Sequence, residues 1–520
     1  MRNINVDLMR TKGKHDKFFK ECASTGRACL ILRSDHQQHL SMASRECGFR
    51  HLRFHGLLHD DMAVYREDKD GNPIYSWQYV DAVYDYILSI SMRPFVGFTF
   101  MPERLASGDS TVYWWKANIT PPKDYGRWEE LVYEVVRHFT ERYGYEEVKQ
   151  WYFEVWNEPD QYRWFFTGDI DEYFKLYEST ARAVKSVCQD YRVGGPATAG
   201  GDLDKWIGGL IGYCHRNRVP IDFITTHTYS AKGITHEGKE GELDCSPGGA
   251  VGVPVWLPGT PWPQGNVYHD PEGAVGAVRR AYDLVKASAM PDLDIYFTEW
   301  GLTCDYWDPL RDSYHAASYI LSRLKAVQGY VKAMSYCEVS DVFEEDGPPT
   351  DHFHGGFGLV NLQGLRKPSF FAYSFLNHLG DTELECDDPN TFACCDANGV
   401  QLLFWDCAVR QDRTNKEYYN RDTPSLSAEK VQLSIAGLRP GTYELSVYCT
   451  GYRRNDVYTA YLDMKHPGTL TQEQIRLLDE QNNGSPAITG KIVIADNSCG
   501  VFQYDVDVRE NDVYLITLEA

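Results

Sequence analysis

Two short runs in the 520-residue chain carry residue types suited to acid, base and nucleophilic work: Trp156-Asn157-Glu158-Pro159 and Phe297-Thr298-Glu299-Trp300. Each glutamate ends an apolar, strand-like stretch, QWYFEVWN at 150–157 and LDIYFTE at 293–299. A carboxylate at the tip of a buried strand is costly unless it is paired or used. If both stretches belong to one barrel, the two carboxylates face each other across its mouth. At a separation of about 5–5.5 Å, such a pair acts as nucleophile and acid/base in glycoside hydrolysis with retention; at about 6.5–9.5 Å a water fits between and the outcome inverts. The acid needs its proton at the start, and burial beside a second carboxylate keeps it there. Asn157 beside Glu158 suits a sugar 2-hydroxyl, which makes Glu158 the acid/base. Arg53, in RHLRFH, and Tyr229, in His-Thr-Tyr, are the candidates to hold Glu299 as nucleophile.

The elements that would position these residues are eight short apolar runs alternating with helical periods. The runs are ACLIL (28–32), RHLRFH (50–55), RPFVGFTF (93–100), QWYFEVWN, RVGGPA (192–197), IDFITTH (221–227), LDIYFTE and VKAMSYCE (331–338). Between them, Leu131, Val132, Val135, Val136 and Phe139, and later Val275, Val278, Tyr282 and Val285, fall at helical spacing. This α/β pattern predicts a (β/α)8 TIM barrel over 15–377, with its site at the C-terminal ends of the strands. From about 378 the texture becomes period two: QLLFWDCAV, KVQLSIAGL, GTYELSVYC, KIVIADN and DVYLITLEA predict an antiparallel β-sandwich over 378–520. NINVDL, within 1–14, alternates in the same way and is expected to join that sandwich. TQEQIRLLDEQ (471–481) reads as one capped helix. The aperiodic, Gly-, Pro- and Trp-rich stretch 230–268 follows the sixth run and reads as a functional loop on the site face.

Composition narrows the function classes. Hydrophobic residues are 43% and charged residues 24%, an ordinary globular balance, while a net charge of -22 argues against nucleic acid or an anionic membrane as partner. No apolar run reaches the roughly 18 residues of a membrane helix. The first residues lack an apolar leader core, so a cytoplasmic location is expected. The fourteen cysteines are scattered with no C-x-x-C, which predicts free thiols rather than a metal centre. Aromatic residues are 14%, and flat apolar faces with polar rims suit sugar rings.

WYFEVWNEPD at 151–160 resembles the acid/base signature of glycoside hydrolase family 39, the family of β-xylosidases and α-L-iduronidases. RFHGLLHDDMAVYRED (53–68), FMPERLASG (100–108), NITPPKDY (118–125), SDVFEE (340–345) and FHGGFGLVNLQGLRKPSF (353–370) resemble its bacterial β-xylosidases in order along most of the chain. The resemblance implies a catalytic barrel with a β-sandwich, retention, Glu158 as acid/base and Glu299 as nucleophile. It also implies sugar contacts from His55, Asn157, His227, Tyr229, Glu344 and Glu345. Two departures bear on the sugar. The family's third strand carries a glutamate where this chain has Gly97, and its xylosidases read Tyr-Trp-Thr-Phe-Ser-Asp where this chain has Tyr336, Cys337, Glu338, Val339, Ser340 and Asp341. A stacking face is lost there and a carboxylate is gained.

The expected activity is a retaining exo-glycosidase releasing xylose from the non-reducing end of xylo-oligosaccharides, with no cofactor, since two carboxylates and water suffice. The alternatives are an exo-glycosidase of the same family acting on arabinopyranose, galactose or a uronic acid, an endo-acting hydrolase, and a non-catalytic sugar-binding barrel. Oligomeric state is left open, a homo-oligomer included, with the resemblance raising the odds of a dimer or tetramer.

Overall fold

The computed structural model describes residues 1–234, 240–241, 267–345, 347–495 and 500–520. Eight parallel strands close into a barrel in chain order: β1 (Cys22–Arg27), β2 (His51–His55), β3 (Arg93–Phe98), β4 (Tyr152–Val155), β5 (Arg192–Thr198), β6 (Phe223–Tyr229), β7 (Asp294–Gly301) and β8 (Ala333–Tyr336). A helix follows each strand. The helix Tyr125–Tyr143 buries Leu131, Val132, Val135, Val136 and Phe139 on one face, and the Asp124 side chain caps it. The (β/α)8 expectation holds, with one correction. ACLIL is not a strand but a short 3-10 turn at Ala28–Leu32. The first strand is the preceding CASTGR, whose small residues Ala23, Ser24 and Thr25 are buried where the barrel interior is crowded. The apolarity of ACLIL serves burial beneath the helices, which a short apolar run cannot distinguish from pairing.

The barrel interior is layered. Phe95, Tyr152, Phe223 and Tyr296 form an aromatic floor at the N-terminal end, with Phe95 and Tyr152 stacked at 4.8 Å and the Tyr296 hydroxyl donating to that of Tyr152 at 3.1 Å. Above it lies a polar layer. Arg53 Nε donates to Glu154 Oε2 at 2.9 Å, Thr298 Oγ1 donates to Glu154 Oε1 at 2.7 Å, and Ser24 Oγ donates to the Thr298 carbonyl at 2.6 Å. Successive side chains on a strand point to opposite faces, so with Thr298 inward Glu299 would point outward. A bulge prevents this. Thr226 is opposite Phe297 and His227 opposite Glu299, so Thr298 is one residue extra on β7, and both side chains face the interior.

The C-terminal sheets pack on the barrel. Arg2–Asp7 runs parallel to Ser427–Ala436, which pairs with Phe502–Arg509 in a three-stranded sheet. Seven further strands, from Thr11–Lys14 to Ile488–Ile494 in spatial order, form the facing sheet. Leu402 and Phe404 pack between the sheets, whereas Leu403 and Trp405 pack into the barrel core, and Trp405 Nε1 donates to Ser322 Oγ at 2.7 Å. That double burial explains the continuous apolar run QLLFW. The helix at 471–481 starts at Gln472 with a Thr471–Gln474 capping box, as its sequence predicts. Twelve cysteines among the described residues are in no disulfide, and no helix there is long and apolar enough to cross a membrane.

One buried ion cluster shapes the loop after β8. Lys367 Nζ lies 2.6 Å from Asp312 and 2.7 Å from Asp341, and none of the three side chains is exposed. The same aspartates accept the Gly355 and Gly358 amides at 2.7 Å. Lys367→Met would leave two buried carboxylates without their cation, a loss of about 3–5 kcal/mol. Urea unfolding should show it as a clear fall in midpoint; an unchanged midpoint would refute the role assigned to the cluster.

Candidate active site

Both glutamates reach the barrel mouth by unusual backbone. β4 ends at Val155, and the chain then turns through Trp156 (φ 71°) and Glu158 (φ 48°) in the left-handed region, which costs a non-glycine residue about 1–2 kcal/mol. Tertiary bonds hold the turn: Trp156 Nε1 donates to the Phe165 carbonyl at 2.7 Å and the Glu158 amide to the Ala197 carbonyl at 2.8 Å. Across the mouth, the β7 bulge delivers Glu299. A carboxylate oxygen of Glu158 lies within 4.8 Å of one of Glu299. That gap is close to the spacing at which one carboxylate attacks directly, and too narrow for the interposed water of an inverting site.

The two carboxyls have unlike surroundings. Glu299 accepts from Arg53 Nη1, and from the Tyr229 hydroxyl at 2.8 Å. Burial first, then the negative charges of Glu299, Asp160 and Glu345, push the Glu158 carboxyl well above the ordinary glutamate range, against a smaller opposing pull from Arg53. The proton that the pair retains therefore belongs on Glu158. Arg53 is the keystone. Besides Glu154 and Glu299 it donates from Nη2 to Asn157 Oδ1 at 2.5 Å. Its own burial disfavours the charge, but Glu154 and Glu299 more than compensate and hold the guanidinium protonated. With Oδ1 so committed, Asn157 has its Nδ2 amide left to offer a ligand. Glu158, His227 and Glu299 are also the three donors among the described residues that converge closely enough for a cation, but Arg53 already supplies the positive charge at that spot.

Asn157, Glu158, Tyr229 and Glu299 line a cavity that also exposes His55, Tyr113, Tyr306, Phe343, Glu345, Cys337 and Glu338. His55 Nε2 is buried without a hydrogen-bond partner, 3.5 Å from Glu345 Oε1, and the His55 ring lies parallel to those of Tyr113 and Trp115 at 6.2 Å from each. Burial lowers its pKa to about 3, so it faces a ligand neutral. Burial raises Glu345 to about 8, against hydrogen bonds from Tyr306 and Tyr113 that favour its anion. Two of the expected sugar contacts meet protein groups. His227 is fully buried behind the pair, with Nδ1 2.8 Å from Glu158 Oε1 and 3.7 Å from Glu299 Oε2, and burial keeps it neutral. The Glu344 carboxylate turns to Arg33, off the pocket wall. Beyond Glu299, Asp305 pairs with Lys416, and Asp308 with Asn415. Glu154 was missed in the sequence. A charged residue inside an apolar strand, matched by Arg53 inside another, was the available signal. Gly97 stands opposite Glu154, and a Cβ there would come within 3.0 Å of the Phe54 carbonyl. Of the loop 230–268, residues 235–239 and 242–266, with Trp256 and Trp262, lie outside the described residues.

Comparison with known proteins agrees with this geometry. The sequence model described as "Glycosyl hydrolases family 39" matches residues 2–240 and 272–491. A β-xylosidase of Geobacillus stearothermophilus is 41% identical over 417 residues, covering 79% of this chain and 78% of that protein. A β-xylosidase of Caldicellulosiruptor saccharolyticus is 33% identical over 532 positions, covering 99% of this chain and 98% of its own. The crystal structure of a monomeric β-xylosidase from Caulobacter crescentus CB15 superposes with a TM-score of 0.90 at 37% identity, covering 100% of this chain and 99% of that one.

Proposed function

Because the chain belongs to glycosyl hydrolase family 39, we propose that it is a retaining exo-β-xylosidase that removes xylose from the non-reducing end of xylo-oligosaccharides, with Glu299 as nucleophile and Glu158 as acid/base. The observation that carries this reading is the carboxylate pair within 4.8 Å in two unlike environments. The β-xylosidase activity of the relatives supports the sugar assignment.

In the first step a Glu299 oxygen attacks C1, the bond from C1 to the leaving oxygen breaks, and the Glu158 proton passes to that oxygen. A glycosyl ester on Glu299 results. Water then enters on the vacated face, Glu158 takes its proton, the new C1–O bond forms as the ester bond breaks, and configuration is retained. Asn157 Nδ2 donates to the 2-hydroxyl, an interaction that tightens as positive charge develops at C1. Arg53 sets Glu299 and Asn157 in register by holding both. His55 and Glu345 are the wall groups for the remaining ring hydroxyls.

The test is hydrolysis of xylotriose and 4-nitrophenyl β-D-xylopyranoside followed by proton NMR. β-Xylose is the expected first product, released one unit at a time. α-Xylose as first product, or internal cleavage of longer chains, would refute retention or exo action respectively.

A further inference from the structure

Glu338, two residues beyond the end of β8, is 3% exposed, and its Oε2 has no hydrogen-bond partner, while Oε1 accepts from the Cys337 thiol at 3.3 Å. The charges acting on it are chiefly those of Glu299 and Glu345, both of its own sign, with a smaller opposite pull from Arg53. A buried carboxyl so placed is unfavourable unless something else meets it. It lines the same cavity as the catalytic pair.

Ring geometry fixes which part of a sugar it would meet, given the assignment of Glu158 and Glu299 made above. C1 of a pyranose is flanked by C2 on one side and by the ring oxygen and C5 on the other. Arg53 binds both Asn157 and Oε1 of Glu299, so the side of the 2-hydroxyl is the Arg53 side. Oε2 of Glu299 is on the Tyr229 side, and the Cys337 thiol lies against the Tyr229 hydroxyl. Glu338, bonded to that thiol, is therefore on the C5 side. Xylose carries only hydrogens at C5 and leaves this carboxyl unmet.

We propose that Cys337 and Glu338 form a subsite for a hydroxymethyl group on C5, so that the enzyme also hydrolyses β-linked hexopyranosides, with Glu338 hydrogen-bonded to the 6-hydroxyl. The small thiol leaves the room and the carboxyl provides the polar partner. The bond changes are those of the pentoside reaction.

The experiment compares aryl β-D-glucoside and β-D-galactoside with their 6-deoxy counterparts, alongside the aryl β-D-xyloside. At least one hexoside should be hydrolysed with kcat/KM at least tenfold above its 6-deoxy partner, since a site built for a hydroxyl rejects the analogue lacking it. Glu338→Ala should bring that ratio to within threefold of unity, a readout independent of how much of the variant folds. A ratio near unity in the unaltered enzyme, or one unchanged by Glu338→Ala, overturns the subsite. Inert hexosides beside a hydrolysed xyloside also overturn it and leave the hydrolase reading standing. Loss of all turnover, xyloside included, would instead strike the assignment of the catalytic pair.

Discussion

Replacing Glu299 with glycine should lower kcat on 4-nitrophenyl β-D-xylopyranoside by about 10^4-fold or more, because the variant has no group to form the covalent intermediate. The protein should still fold. Arg53, which Glu299 neutralises in part, keeps Glu154 and Asn157 as partners, so the substitution does not orphan a buried cation. Added azide is small enough to occupy the vacated space and attack C1 from the face that Glu299 occupied. The recovered product should then be the α-glycosyl azide, a configuration that no solvent reaction on the intact enzyme yields. Residual turnover within about 100-fold of the parent, or rescue that gives the β-azide, would remove Glu299 from the role of nucleophile.

Glu158→Ala should separate substrates by leaving group. Xylobiose requires protonation of its departing oxygen and should lose about 10^2–10^4-fold in kcat/KM, whereas a 2,4-dinitrophenyl xyloside requires little and should lose far less. With the base gone, the glycosyl ester should accumulate and appear as a burst of phenolate before a slow steady state. The pH profile carries the same assignment. Burial and the neighbouring carboxylates hold the Glu158 proton above the ordinary carboxylic range, so kcat/KM of the parent should persist above that range and fall as pH rises through the raised value. The variant should lack this alkaline limb. Equal losses on both substrates, or an alkaline limb that survives, would refute the acid/base assignment.

Much of this was legible in the sequence because burial leaves a periodic record. Seven of the eight barrel strands coincide with apolar runs read from the chain, and the helix at 125–143 shows its buried face in the spacing of its valines. β1 escaped for a physical reason. Its side chains sit beside the polar layer around Arg53 and Glu154, where small residues fit, so it carries no apolar signature. Glu158 and Glu299 were found from residue type and position at strand ends. What delivers them was not legible, since left-handed residues at 156 and 158 and an extra residue at 298 leave no mark in composition or period. The partners of His227 and Glu344 were not legible, because a polar side chain near a site can point at the substrate or at another side chain. Only the fold reveals that His227 meets Glu158 and that Glu344 meets Arg33.

The packed rings of Phe95, Tyr152, Phe223 and Tyr296 leave the active pocket no exit at its base. It is a cul-de-sac, and the liberated monosaccharide must depart by the passage through which the next chain end arrives. Free sugar and incoming oligosaccharide therefore contend for one berth. Turnover in a concentrated digest should therefore be slowed by the enzyme's own product, in competition with substrate, before linkages run out.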